Sequence, residues 1–200
     1  MAGLSSEELW NEAEAAFINV MKLLAEQLSS KGINLPTHKL NIVDVGAGQM
    51  PYGLALERWA RSMAKEVTLV AVDPVYSLGG WESRFYPVKP GSAIKQLALP
   101  LENASSALKG LGIEKIDLLT LFNPNPSDTP KVRSLDELCK GTPILGALDG
   151  PFSPDIDWEM MMQGYRVVNK IHNPSSRKME SAWGREYSPA FIALPRSFGQ

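Results

Sequence analysis

The segment Val43-Asp44-Val45-Gly46-Ala47-Gly48-Gln49-Met50-Pro51 sets two glycines two residues apart, with a carboxylate two residues before the first. Glycines between a strand and a helix let the backbone approach a ligand closely, at the positively polarised helix N-terminus. Nucleotide-binding α/β domains share that spacing. Here Asp44 would sit awkwardly beside a pyrophosphate, and the third glycine of the dinucleotide fingerprint would fall at Pro51. A ligand carrying an amino group and a sulfonium suits the carboxylate better. Asp73 lies 25 residues after Gly48 and is followed by Pro74. A carboxylate there can accept both hydroxyls of a ribose. The plainer alternative is a cap on the turn before Pro74.

Two further segments could act on a substrate. Leu121-Phe122-Asn123-Pro124-Asn125-Pro126 ends an apolar run, and its prolines remove backbone donors, leaving side chains and carbonyls to face a cleft. Between His172 and Ser188, His172 and Glu180 can serve as a general base. The alternative for both is a solvated loop. His38 reads as a surface residue, Met160-Met161-Met162 as core filling, and Cys139 as a part of the fold without chemistry.

Alternating elements must position these residues. Ser5 with Glu8 forms a capping box, and Leu9, Ala13, Phe17, Val20, Met21, Leu24 and Leu28 recur at helical steps. The spacing predicts an amphipathic helix of about 25 residues over 1–32, covering one edge of a sheet, or serving as a lid or homodimer contact. Apolar runs predict buried strands at 40–45, 67–72, 116–122 and 143–148, with a third strand between Phe85 and Leu99, at Ile94–Leu99 in preference to Phe85–Val88. Helices are predicted at 52–65, 104–111, 135–140 and 155–163, the last stopped by Gly164. Tyr165–Ile171 and Ala190–Leu194 read as a final antiparallel pair, with no helical period between them. The order implies an α/β fold, a mostly parallel sheet with helices on both faces, built as one domain with its core over 38–200.

At this point the chain resembles the class I methyltransferases, which use S-adenosylmethionine. Asp44, Gly46 and Gly48 match the motif D-x-G-x-G-x-G, while Met50 replaces its last glycine and Pro51 follows as in several such families. The resemblance implies a three-layer Rossmann-like sheet of seven strands with a final antiparallel hairpin strand. It also implies that Asp44 orients the methionine end of the cofactor, and that the backbone of Gly46, Ala47, Gly48 and Gln49 lines its pocket. Asp73 would take the ribose with Pro74 beside it, and Val75 or Tyr76 would pack on the adenine. Glu102 and Asn103 are candidates for the adenine amino group. Asn123-Pro124 is similar to the N-P-P-aromatic motif of amino-group methyltransferases, with Asn125 and Pro126 departing from it. Asn123 is then the side chain nearest the methyl acceptor.

Twenty basic against 22 acidic residues and no long basic run argue against a broad nucleic-acid face. No stretch approaches the ~20 apolar residues of a membrane span. The opening residues lack a basic leader, and the lone Cys139 has no disulfide partner; together these point to the cytoplasm. The reading is methyl transfer from S-adenosylmethionine to an unidentified acceptor. The alternatives are a non-catalytic binding or regulatory protein of the same fold, and a nicotinamide-dependent oxidoreductase, which Asp44 and Pro51 disfavour.

Overall fold

The computed structural model describes residues 5–48, 50–74, 94–122, 132–148 and 155–198. The chain opens with α1 (Ser6–Ser30), whose capping box forms as expected. The Ser5 N–H donates to Glu8 Oε2 at 2.7 Å, and the Glu8 N–H donates to Ser5 Oγ at 3.3 Å. Then come β1 (Lys39–Val45), α2 (Gly53–Met63), β2 (Glu66–Val72), β3 (Ile94–Leu97), α3 (Ala104–Gly110) and β4 (Leu118–Phe122). After a 3-10 stretch over Val132–Cys139 follow β5 (Ile144–Ala147), α4 (Ile156–Met162), β6 (Tyr165–Ile171), α5 (Ser176–Trp183) and β7 (Ala190–Pro195).

The seven strands form one sheet in the order β3-β2-β1-β4-β5-β7-β6. The pairs β1–β2, β1–β4, β2–β3 and β4–β5 are parallel. β7 runs antiparallel to both of its neighbours, β5 and β6. The carboxyl ends of β1 through β6 therefore share one rim of the sheet. Alternate residues divide between two cores, because successive side chains of a strand point to opposite faces. Leu40, Ile42, Leu69, Leu118 and Phe122 pack beneath the layer of α1, α2 and α5. Val43, Val70, Leu119 and Leu121 pack with Ala104 and Leu108 of α3 and Ile156 and Met160 of α4.

The stripe of α1 from Ala13 to Leu28 is buried between α2 and α5. Toward the sheet α1 meets β7 and accepts a hydrogen bond at Gln27 Oε1 from Asn169 Nδ2 of the edge strand β6 at 3.1 Å. Two expectations need correction. Residues 176–183 form a helix where none was expected. Its buried positions are Ser176 and Met179, with Ala182 and Trp183 partly buried, so its stripe is nearly free of aliphatic residues. Gly184 closes it in the left-handed conformation, φ 72°. Of the methionine run, Met160 is core, whereas Met162 is 57% exposed.

Gly146 of β5 is packed closely between β4 and β7. A Cβ there would lie 2.3 Å from the Leu121 carbonyl oxygen and 2.5 Å from Cζ of the buried Phe191. Gly146→Ala should destabilise the fold by about 1–3 kcal/mol, the scale of overpacking. Urea denaturation checks this, and a loss under about 0.5 kcal/mol would mean that β7 shifts freely.

Candidate functional site

Past the end of β1 the chain turns sharply over the rim. The Gly46 N–H donates to the Val72 carbonyl at 3.0 Å, prolonging the β1–β2 ladder by one residue. Gly46 and Gly48 take φ values of 63° and 53°, which only glycine adopts at no cost. Among the described residues a Cβ on Gly48 would meet nothing within 4 Å, so they leave open space above the turn. Met50 also has a positive φ, 48°. The position where the motif has its third glycine therefore keeps a left-handed backbone, at a cost of roughly 1–2 kcal/mol for a residue with a Cβ. The Met50 side chain is buried in the core under α1, which offsets that strain.

Asp44 is fully buried. Strand parity explains where it points. It stands two residues after Ile42 and so faces the α1–α2 layer, and the β1–β4 register sets Thr120 directly beside it. The Thr120 hydroxyl donates to Asp44 Oδ1 at 2.6 Å, and the Tyr52 hydroxyl donates to Oδ2 at 2.8 Å. Burial pushes the Asp44 carboxyl up to about 7. The two hydroxyl donors pull against that rise, and the negative charge of Asp73 adds to it. Sequence reasoning missed both donors. The signal for Thr120 was present: a hydroxyl inside the apolar strand Leu118–Phe122 requires a partner.

Asp73 follows β2, and its Oδ2 accepts the Gly48 N–H at 2.9 Å. The two acidic residues singled out from the sequence thus bracket the glycine turn, one beneath it and one beside it. Pro74 is exposed next to Asp73. Ala47 is buried within the turn. Asn103 closes a 3-10 turn after β3 with its side chain exposed and making no cap to α3, and Glu102 is exposed beside it. Gln49, Val75, Tyr76 and Asn123 through Pro126 lie outside the described residues.

His172 follows β6, with Nδ1 3.4 Å from the Ser188 hydroxyl. It shares the rim with Asp44, but β6 stands four strands from β1. At about 4.8 Å per strand that is roughly 19 Å, so His172 does not converge on the glycine turn. Glu180 is exposed on α5. Between these two ends of the rim lies an aromatic cluster that the sequence did not reveal. The Tyr52 ring stacks on Phe17 of α1 with centroids 5.3 Å apart and planes 14° apart. Phe122 approaches it to 4.6 Å and Tyr187 to 5.6 Å, and Trp183 lies 5.9 Å from Phe17.

No family model matches the sequence, and no curated protein matches it. Solved structures do. The chain aligns with the CMeT domain of the citrinin polyketide synthase at a TM-score of 0.55 and 16% identity, over 90% of this chain and 52% of that one. The fold is that of the class I methyltransferases. The antibiotic-resistance methyltransferase Kmr aligns at a TM-score of 0.44 and 17% identity, over 86% of this chain and 93% of that one. The DszA carbon methyltransferase aligns at 0.49 and 17%, over 90% and 53%. Within this methyltransferase fold, α1 is packed so that Phe17 reaches the rim beside Tyr52. Among the described residues, no helix is long and apolar enough to cross a membrane.

Proposed function

We propose that this chain binds S-adenosylmethionine over the Gly46–Gly48 turn and transfers its methyl group to an acceptor. The observation that carries the reading is the turn itself: two left-handed glycines, open space over Gly48 among the described residues, and the carboxyls of Asp44 and Asp73 on either side. Those residues fit the group. A buried carboxyl without a cation among its described partners suits an ammonium, and a half-buried carboxylate beside a part-buried glycine turn suits vicinal hydroxyls. When bound, the cofactor supplies an intrinsically activated methyl sulfonium.

The protein's part is alignment and exclusion of water. Asp44 takes the amino group from below, and Asp73 fixes the ribose while holding the Gly48 N–H. Gln49 and Ala47 line the pocket through their backbone, and Pro74 and Val75 border the adenine with Asn103 beyond. Asn123, following Phe122 at the end of β4, orients the acceptor. His172 is the candidate general base only for an acceptor long enough to span the rim. A second reading, a binding or regulatory protein that does not transfer the methyl group, is supported by Met50 in place of the motif's last glycine and by the departures at Asn125 and Pro126.

Titration with the demethylated product tests the site, with an affinity expected in the micromolar range, about 7–9 kcal/mol. Asp73→Ala should weaken binding by about 1.5–3 kcal/mol, as for hydrogen bonds to a charged group. Asp73→Asn can still accept the Gly48 N–H, but it lacks a second acceptor oxygen for the ribose. Binding retained in the asparagine variant would reduce Asp73 to a turn cap. Transfer of label from radioactive donor to cell extract separates the enzyme from the binding protein.

A further inference from the structure

We infer that Tyr52 is a positioning residue of the cofactor site, which together with Thr120 holds the Asp44 carboxyl for the ligand's ammonium. The inference rests on the reading that Asp44 meets that ammonium. Each Asp44 oxygen accepts one internal donor, Thr120 on Oδ1 and Tyr52 on Oδ2. A carboxylate has about four acceptor positions, so two remain and a further donor enters without displacing either hydroxyl.

Tyr52 is itself immobilised. It is buried at the start of α2, where its carbonyl accepts the Leu56 N–H at 2.9 Å. Its ring is held by Phe17 from α1, Phe122 from β4 and Tyr187 from the approach to β7. A ring gripped by three elements cannot swing its hydroxyl away, so the donor is a fixed point and the carboxyl orientation follows from it. Thr120 is equally fixed, fully buried in the central strand β4.

The charged and titratable groups on the elements packed around β1 make the hydroxyl donors matter. From β2 comes Asp73, which opposes ionisation. From α1 comes Glu14, already bonded to Arg58 and to the Trp10 indole. From α2 comes Glu57, paired with Arg61 at 2.9 Å, and from the approach to β7 the Tyr187 phenol. Among the described residues no cation pairs with Asp44, so its ionised form is supported by the Tyr52 and Thr120 hydroxyls until a ligand brings positive charge. Loss of one hydroxyl makes the ionised form harder to reach and moves ligand binding to higher pH.

The test is calorimetric titration of the intact chain with the demethylated cofactor product between pH 6 and 8.5. Wild-type affinity should rise with pH and level off. Tyr52→Phe keeps the stacked ring, so the fold is retained while the donor is lost. Its rise should move up by about one pH unit, with about fivefold weaker binding at pH 7, approaching tenfold at pH 6 and largely recovering at pH 8.5. Thr120→Val should shift the profile the same way, as a second variant on another strand. Weakening that is equal at every pH would mean a structural role and overturn the inference. Asp44→Asn tells the two layers apart. If it binds like wild type, the ammonium reading of Asp44 fails and the inference with it. If it weakens binding and flattens the profile while Tyr52→Phe follows wild type, only the role of Tyr52 is overturned.

Discussion

Asp44→Asn should make the ligand-free protein more stable than wild type at pH 8, and by a margin that shrinks as the pH is lowered toward 4. The folded Asp44 carboxyl is pushed up to about 7 by burial, whereas in an unfolded chain it titrates near ~3.9. Between those values the folded state holds a proton that the unfolded state has released. Stability from this group therefore falls as pH rises from about 4 to 7 and is constant above. Three pH units at 1.36 kcal/mol each set a ceiling of about 4 kcal/mol. Asparagine has no proton to lose, and the Tyr52 hydroxyl can turn to accept from its amide. Urea denaturation of both proteins at pH 5 and pH 8 measures the margin. A margin independent of pH would show that Asp44 is ionised in the folded protein throughout. The ligand then contributes the opposite term, since an ammonium over Asp44 favours the charged form and binding should release a proton near neutral pH.

Gly48→Val should leave a folded protein that no longer binds the demethylated cofactor product, a loss of at least about 100-fold or 2.7 kcal/mol. A Cβ at this position meets nothing of the described residues within 4 Å, so the added side chain enters the space over the turn instead of the core. Valine also strains a backbone at φ 53°, by roughly 1–2 kcal/mol. Asparagine tolerates that conformation better, so Gly48→Asn separates the two effects. Both variants should lose binding if the ligand occupies the space. Binding retained by asparagine and lost by valine would point to turn strain, and binding retained by both would move the site elsewhere.

The strands were legible because each is a short run with apolar residues bounded by turn residues, and those apolar residues divide between two cores. The glycine turn was legible because its conformation demands a residue type. Partners set by register were not. Thr120 meets Asp44 across 76 positions of sequence, and nothing local marks that pairing. The helix at 176–183 escaped because its inward stripe is serine, methionine and tryptophan, and its docking against α1 supplies what local pattern does not. The left-handed Met50 escaped for a related reason: burial of its side chain outweighs the preference of its backbone.

The packing of α1 on α5, tied by Lys178 to Glu12 at 3.1 Å, has a consequence for synthesis on the ribosome. The first helix emerges long before residues 176–183 exist to cover it, and β6 has no strand beside it until residues 190–195 follow. At about 5–20 residues per second the wait for α5 is roughly 8–30 s. For that interval the side of α1 that α5 will cover stays open on the nascent chain, to chaperones and to other nascent copies alike, although α2 is already made. The sheet closes late, from the end of the chain made last, and the window for both encounters closes with it.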